Sequence, residues 1–260
     1  MSDAFSGPHK GAPLLLTNDD GIHSFFLRAL AEALSQRWPV CVVAPAREQS
    51  WSGRSVSRQG KLEVRAVEGW PGPAWSVDGT PTDCATLGLY SLLRERPRAV
   101  ISGMNFGFNV SLPLILSSGT VAGAIEGALA GLPAVAFSLA LAQEDFFTAK
   151  RDAGRRGPEG DRKTRAAADR AAAEVALILE RDERPGCVHN INLPDGVDLE
   201  TKKRETKPAQ ISIGRLFQLR DGVAEFRFPA NTLTDPPAGS DLECVLAGEV
   251  SHSLLDLSAL

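Results

Sequence analysis

The chain has 260 residues, long enough for one large α/β domain or a domain with an appendage, and 43% of them are hydrophobic, ample for a sizeable core. A formal net charge of −4 supplies no overall attraction for nucleic-acid polymers or acidic membranes. No apolar run reaches the ~18 residues of a membrane span, and the opening "MSDAFSGPHKGA" lacks the apolar stretch of a signal peptide, so the expectation is a soluble, cytoplasmic protein without a membrane partner.

From the amino end, "PLLLT" at 13–17 reads as a buried strand, Phe25 to Arg37 as a helix, and "VCVVAP" at 40–45 as a second strand. That alternation predicts βαβ units and a mostly parallel sheet. "KLEVRAV" follows with strand-like alternation, then the turn-rich "GWPGP" at 69–73. A helix is expected to begin near Thr80, which suits the cap, with Pro81 at the first helical position and Asp83 in the acid-favouring first turn. "RAVIS" at 98–102 is a further strand leading into a glycine-rich segment. "TVAGAIEGALAG" reads as a helix whose small residues let its backbone lie close to a sheet, and "LPAVAFSL" as the strand after it. Residues 144–166 are charged and glycine-containing and read as a loop; "RAAADRAAAEVALILE" is a strong helix and "CVHNINLP" another strand. Beyond about residue 200 the runs "AQISI", "VAEFRF" and "LECVLAGEV" look β-like, with the turn cluster "TDPPAGSD" between the last two. The expectation is an α/β core over residues 1–200 and a β-rich extension over 201–260. Cys41, Cys84, Cys187 and Cys244 are scattered without metal-ligand spacing and are expected as buried thiols.

In an open parallel sheet, ligands bind beyond the carboxyl ends of the strands, where the strand-to-helix loops gather. Three polar clusters fall there. The first strand ends in Thr17, Asn18, Asp19 and Asp20, the second leads into "APAREQSWSG" with Ser50 and Ser52, and "RAVIS" leads into "SGMNFGFN" with Asn105 and Asn109. Carboxylates, a hydroxyl and an amide are oxygen ligands that suit a hard divalent cation. A cation would also relieve the repulsion between Asp19 and Asp20, although "NDDG" taken alone is ordinary turn chemistry before a helix. Small and hydroxyl residues in "SSGTVAGAIEG" leave backbone N–H groups at a helix mouth open to a phosphate, or else simply cap and pack that helix. Neither segment carries a Walker or dinucleotide-binding fingerprint.

Taken in order, "LLLTNDDGIH", "APAREQSWSGRSVS", "VDGTPTDCATLGL", "RAVISGMNFGFN", "SSGTVAGAIEGALAGLPAVAFSL", "NINLP" and "EVSHSLLDLSAL" resemble the SurE survival-protein family of metal-dependent nucleotidases, and these motifs span most of residues 13–257. The resemblance implies a Rossmann-like three-layer α/β sandwich with a C-terminal extension used in oligomerisation, as a homodimer or homotetramer. It implies hydrolysis of nucleoside 5′-monophosphates, with 3′-monophosphates as candidate further substrates, to nucleoside and phosphate. It further implies one divalent ion per subunit, Mg²⁺ or Mn²⁺, with Ca²⁺ as a crystal substitute, held by Asp19, Asp20, Ser50 and Asn105. Asp19 and Asp20 would carry the catalysis, and Asn18, Asn105, Gly119 and Thr120 would line the phosphate site.

The chain departs from the family pattern at "SFF" (24–26), where a Pro-Gly turn is usual, and at the loop "VSLPLIL" (110–116), which borders the substrate and lacks the usual acids and tyrosine. Two other classes compete with the nucleotidase: a non-catalytic nucleotide- or phosphate-binding protein on the same fold, and a metal-dependent nucleotide-sugar glycosyltransferase.

Overall fold

The computed structural model describes residues 11–181, 185–228 and 235–259. Residues 1–10, where no leader is expected, and Thr234 at the start of the "TDPPAGSD" turn lie outside the described residues.

Nine strands form one sheet in the order β3-β4-β2-β1-β5-β6-β7-β11-β8. Its centre is parallel: β1 (Leu14–Thr17) lies between β2 (Val40–Pro45) and β5 (Ala99–Phe106), and β6 (Ala134–Leu139) and β7 (Cys187–Leu193) follow. At one edge, β4 (Ala74–Val77) is parallel to β2, and β3 (Val64–Ala66) adds antiparallel to it. The expected strand over "KLEVRAV" thus shrinks to three exposed residues at an edge, while "AWSV", which the sequence reading passed over, supplies β4.

Every central strand is buried on both faces, and alternate residues point to opposite cores. Leu14 and Leu16 face α1 (Phe25–Ser35) and α6 (Gly157–Arg181), whereas Leu15 faces α2 (Pro81–Leu87). In β6, Val135 and Phe137 join the first cluster, and Ala134 and Ala136 pack with α4 (Gly119–Leu129). The product is the three-layer α/β sandwich expected from the motifs. The α2 start follows its sequence signal closely: the Thr80 hydroxyl accepts from the Asp83 N–H at 3.2 Å, and the Asp83 carboxylate accepts from the Thr80 N–H at 2.9 Å, a complete capping box. The small residues of α4 do what their size predicts. A Cβ on Gly123 would sit 2.7 Å from the Thr17 methyl, and one on Gly127 would sit 2.5 Å from Val100 Cβ.

Four readings need correction. Residues 144–166 are not a loop but α5 (Gln143–Arg151) and the first turns of a 25-residue α6. Charge composition concealed them, yet α5 has Glu144 and Asp145 in its first turn and Lys150 and Arg151 in its last, the distribution a helix dipole favours. The segment 110–116, read as a loop, contains α3 (Leu112–Ser117) with Pro113 in its first turn. "AQISI" forms no strand, and most of "LECVLAGEV" is α7 (Asp241–Leu246), started by Ser240, whose hydroxyl accepts from the Glu243 N–H at 3.2 Å. An apolar run of that length does not distinguish strand from helix; its cap does.

Within residues 201–259, β8 (Lys203–Thr206) and β11 (Val250–Asp256) join the main sheet, β11 antiparallel to β7. β9 (Phe217–Arg220) and β10 (Val223–Phe226) form a separate hairpin. All four cysteines are buried and form no disulfide.

Candidate functional site at the carboxyl edge

The chain runs outward from β1 to β2 and β4, then returns to the other side of β1 as β5. The order of strands therefore reverses between β1 and β5, where the loops leaving them diverge and open a crevice. Asp19 and Asp20 follow β1 directly, and Asn105 is the penultimate residue of β5.

Local structure explains the acid pair's position. Asn18 closes the turn, its amide donating to the Gly21 carbonyl at 3.1 Å while its side-chain oxygen accepts from the Gly21 N–H at 3.2 Å. Gly21 has φ of 98°, and a Cβ there would press on the Arg47 and Pro45 backbone at 3.3 Å, so glycine lets the β1 and β2 loops meet. Asp19 is 5% exposed, and its carboxylate accepts a hydrogen bond from the Thr120 hydroxyl. The amino end of α4 presses against it closely: a Cβ on Gly119 would lie 2.8 Å from Asp19 Cβ and 3.1 Å from Oδ2. Asp20 is turned the other way and accepts from the Phe106 N–H at 3.2 Å.

These contacts bring Asn18, Asp19, Asp20, Gly119 and Thr120 together, with Asn105 one residue from the group that holds Asp20. The Asn105 amide nitrogen donates to the Gly107 carbonyl at 3.0 Å, which leaves its oxygen as the end suited to a cation. Ser50 shares the loop, anchored by the Gln49 N–H donating to the Asp19 carbonyl at 2.7 Å, but its exposed hydroxyl bonds Glu48 at 2.5 Å rather than either aspartate. Ser52 Oγ is buried without a hydrogen-bond partner among the described residues. Asn109 serves the fold. Its amide donates to Ser138 Oγ at 2.8 Å, its N–H to Asn192 at 2.8 Å, and its carbonyl accepts from Asn190 at 2.9 Å.

Burial pushes the Asp19 carboxyl above the usual carboxylate range, against the Thr120 hydroxyl, which favours the ionised form. Burial and then the neighbouring Asp19 charge hold Asp20 well above it. Two adjacent acids in this condition, with a hydroxyl and an amide oxygen at hand, fit a hard divalent cation by donor chemistry. Among the described residues no cluster of three or more His, Cys, Asp or Glu has metal-binding geometry, so a cation here would draw its remaining ligands from neutral oxygens.

Two charged neighbours escaped the sequence reading. Glu48 bears on both aspartates, and Lys150 of α5 pairs with Glu48 at 2.9 Å. Glu48 lay unremarked in "AREQS", and Lys150 lay in the supposed loop. The departure at 24–26 is tied to the same region. Phe25 N–H donates to the Ala153 carbonyl at 2.8 Å, and Phe26 packs edge-on to Phe106 with ring centroids 5.8 Å apart. On the opposite rim Trp51, at φ of 62°, meets Phe226 of the hairpin with centroids 5.2 Å apart.

Strand order and an acid pair at its reversal point define the class: a doubly wound α/β protein with a polar site at its carboxyl edge. Within that class the chain belongs to the SurE family, whose description, Survival protein SurE, matches residues 14–218. A Methanosarcina barkeri protein named 5′-nucleotidase SurE is 37% identical over 251 residues, spanning 95% of this chain and 92% of its own. Its namesake in Myxococcus xanthus is 41% identical over 194 residues, covering 74% of this chain and 66% of that protein. The crystal structure of the SurE protein from Aquifex aeolicus matches with a TM-score of 0.72 at 30% identity, over 94% of this chain and 93% of that one.

Proposed function

We propose that the chain is a divalent-metal-dependent phosphatase that hydrolyses nucleoside 5′-monophosphates, with 3′-monophosphates as candidate further substrates, to nucleoside and inorganic phosphate at the β1–β5 crevice. The observation that carries this reading is the Asp19–Asp20 pair at the strand-order reversal, one acid held by Thr120 and the other by the Phe106 N–H. Family membership and relatives named 5′-nucleotidase SurE support it.

Asp19, Asp20, Asn105 and a serine of the β2 loop, Ser50 by motif, would hold one Mg²⁺ or Mn²⁺. When bound, the ion supplies Lewis acidity toward the phosphate and lowers the pKa of water. The chain's own groups position the reaction. Thr120 engages Asp19 Oδ1, directing the other carboxylate oxygen to accept a proton as water attacks phosphorus. The phosphorus–oxygen bond to ribose breaks, and the ribose oxygen takes a proton from solvent. The amino end of α4, at Gly119, would lend its positive dipole end to the developing negative charge, while the Thr120 N–H bonds the Asp19 carboxylate.

Absence of a helix long and apolar enough to cross a membrane, among the described residues, is compatible with action on dissolved nucleotides in the cytoplasm. Residues 201–260 we take as an extension that assists assembly into a homodimer or homotetramer. Its hairpin exposes Phe217, Leu219, Val223 and Phe226, the last against Trp51 beside Ser50.

The test is a phosphate-release screen over nucleoside monophosphates, polyphosphate and p-nitrophenyl phosphate, with EDTA, Mg²⁺ and Mn²⁺ arms. Metal-dependent release from nucleoside monophosphates is expected. Binding of AMP or GMP without release would favour a non-catalytic nucleotide-binding protein, and turnover of sugar nucleotides alone would favour a glycosyltransferase.

A further inference from the structure

The crevice is rich in negative charge. Asp19, Asp20 and Glu48 stand around a place that must receive a phosphate dianion, and one cation bound to two aspartates leaves little excess positive charge. A phosphate monoester therefore calls for a further cationic partner.

Helix α5 supplies it. Phe146 and Lys150 are four residues apart, hence on one face of the helix. Phe146 packs edge-on to Phe106, centroids 6.1 Å apart, and lies where a Cβ on Gly107 would touch its ring at 3.3 Å. Phe106 is the residue whose N–H holds Asp20. One turn on, Lys150 Nζ meets Glu48 Oε1 at 2.9 Å, and Glu48 in turn accepts from Ser50. The helix is anchored at its other end. The buried guanidinium of Arg156 pairs with Asp145 at 3.2 Å and Asp195 at 2.9 Å, fixing α5 to α6 and to the segment after β7. Lys150 is 48% exposed and makes one exposed ion pair, a contact of little stabilising value.

We propose that Lys150 binds the substrate phosphate. Parked on Glu48 when the crevice holds no anion, the ammonium turns to the non-bridging phosphate oxygens when a monoester enters, and Glu48 keeps Ser50 in place. This rests on the phosphatase reading of the crevice, which it deepens by adding a catalytic cation from α5.

Calorimetric titration of the Mn²⁺-loaded protein with inorganic phosphate, and separately with adenosine, tests it alongside steady-state kinetics on AMP. Lys150→Ala is expected to weaken phosphate binding, and to raise KM for AMP, by about tenfold or more, the worth of a charge-assisted hydrogen bond. Adenosine binding should be unchanged, Lys150→Arg should restore most of the loss, and Arg151→Ala, which removes the adjacent exposed charge, should have no effect. Equal phosphate affinity in wild type and Lys150→Ala would overturn the proposal, as would parallel loss of adenosine binding or no phosphate binding by the wild type. Phosphate binding that depends on Lys150 without any monoester hydrolysis would uphold this role while sinking the nucleotidase.

Discussion

Asp19 and Asp20 are expensive neighbours in the absence of compensating charge. Because their carboxyls are held above the usual range, folding favours their protonated forms, and that contribution is present at low pH and lost as pH rises through the raised values. A bound divalent cation removes the penalty. The rise in Tm on adding Mg²⁺ should therefore be larger at pH ~8 than at pH ~5, as scanning fluorimetry can measure. Asp19→Asn should abolish metal-dependent phosphate release while far-UV circular dichroism stays that of the wild type. Gly119→Ala tests the fit of α4 against the acid: a Cβ 2.8 Å from Asp19 Cβ must displace one or the other. A shift of that size should lower kcat/KM by about 10²-fold. Wild-type turnover in that variant would mean that Asp19's position is not critical.

Elements bring these residues together, and they vary in how plainly the sequence declares them. α2 is announced by Thr-Pro-Thr-Asp, and the structure returns the whole capping box; Thr80→Ala should cost about 1 kcal/mol and lower Tm by about 2–4 °C. Strand ends are legible because the apolar runs of β1 and β5 give way to polar residues at Asn18 and Ser102, so that the acid pair and the Asn105 amide can be placed at one edge from the sequence. α5 was not, because its polar composition resembles a solvated loop, and only the placement of acids first and bases last marks a helix. α7 was mistaken for strand because six residues are too few to show helical periodicity, although Ser240 was available as its cap. Lys150 followed α5 into concealment: a lysine's relevance to a site lies in where its helix docks, and the docking depends on Phe146, Arg156 and a Phe25–Phe26 pair far away in sequence. The three polar clusters do share one edge, yet Asn109 is consumed by β6 and β7, a division of labour that spacing alone does not reveal.

At the scale of the whole molecule, the strand order places the site where β1 and β5 part, and the remainder closes around it: α5 on one rim, the β2 loop and the hairpin on another. The hairpin's apolar residues, with Leu219 71% and Val223 64% exposed, support association of copies. Light scattering after gel filtration should report a dimer or tetramer, and Leu219→Glu should shift it toward monomer; a monomeric wild type would remove this role. The measurement that bears most directly on the central claim is phosphate release from a nucleoside 5′-monophosphate by the wild-type protein, before EDTA, after EDTA, and after Mn²⁺ is restored. Wild type is expected to release phosphate, to stop in EDTA and to resume with Mn²⁺, and Asp19→Asn to release none under any condition; release that persists in EDTA, or in Asp19→Asn, would mean that the acid pair and its cation do not carry the hydrolysis.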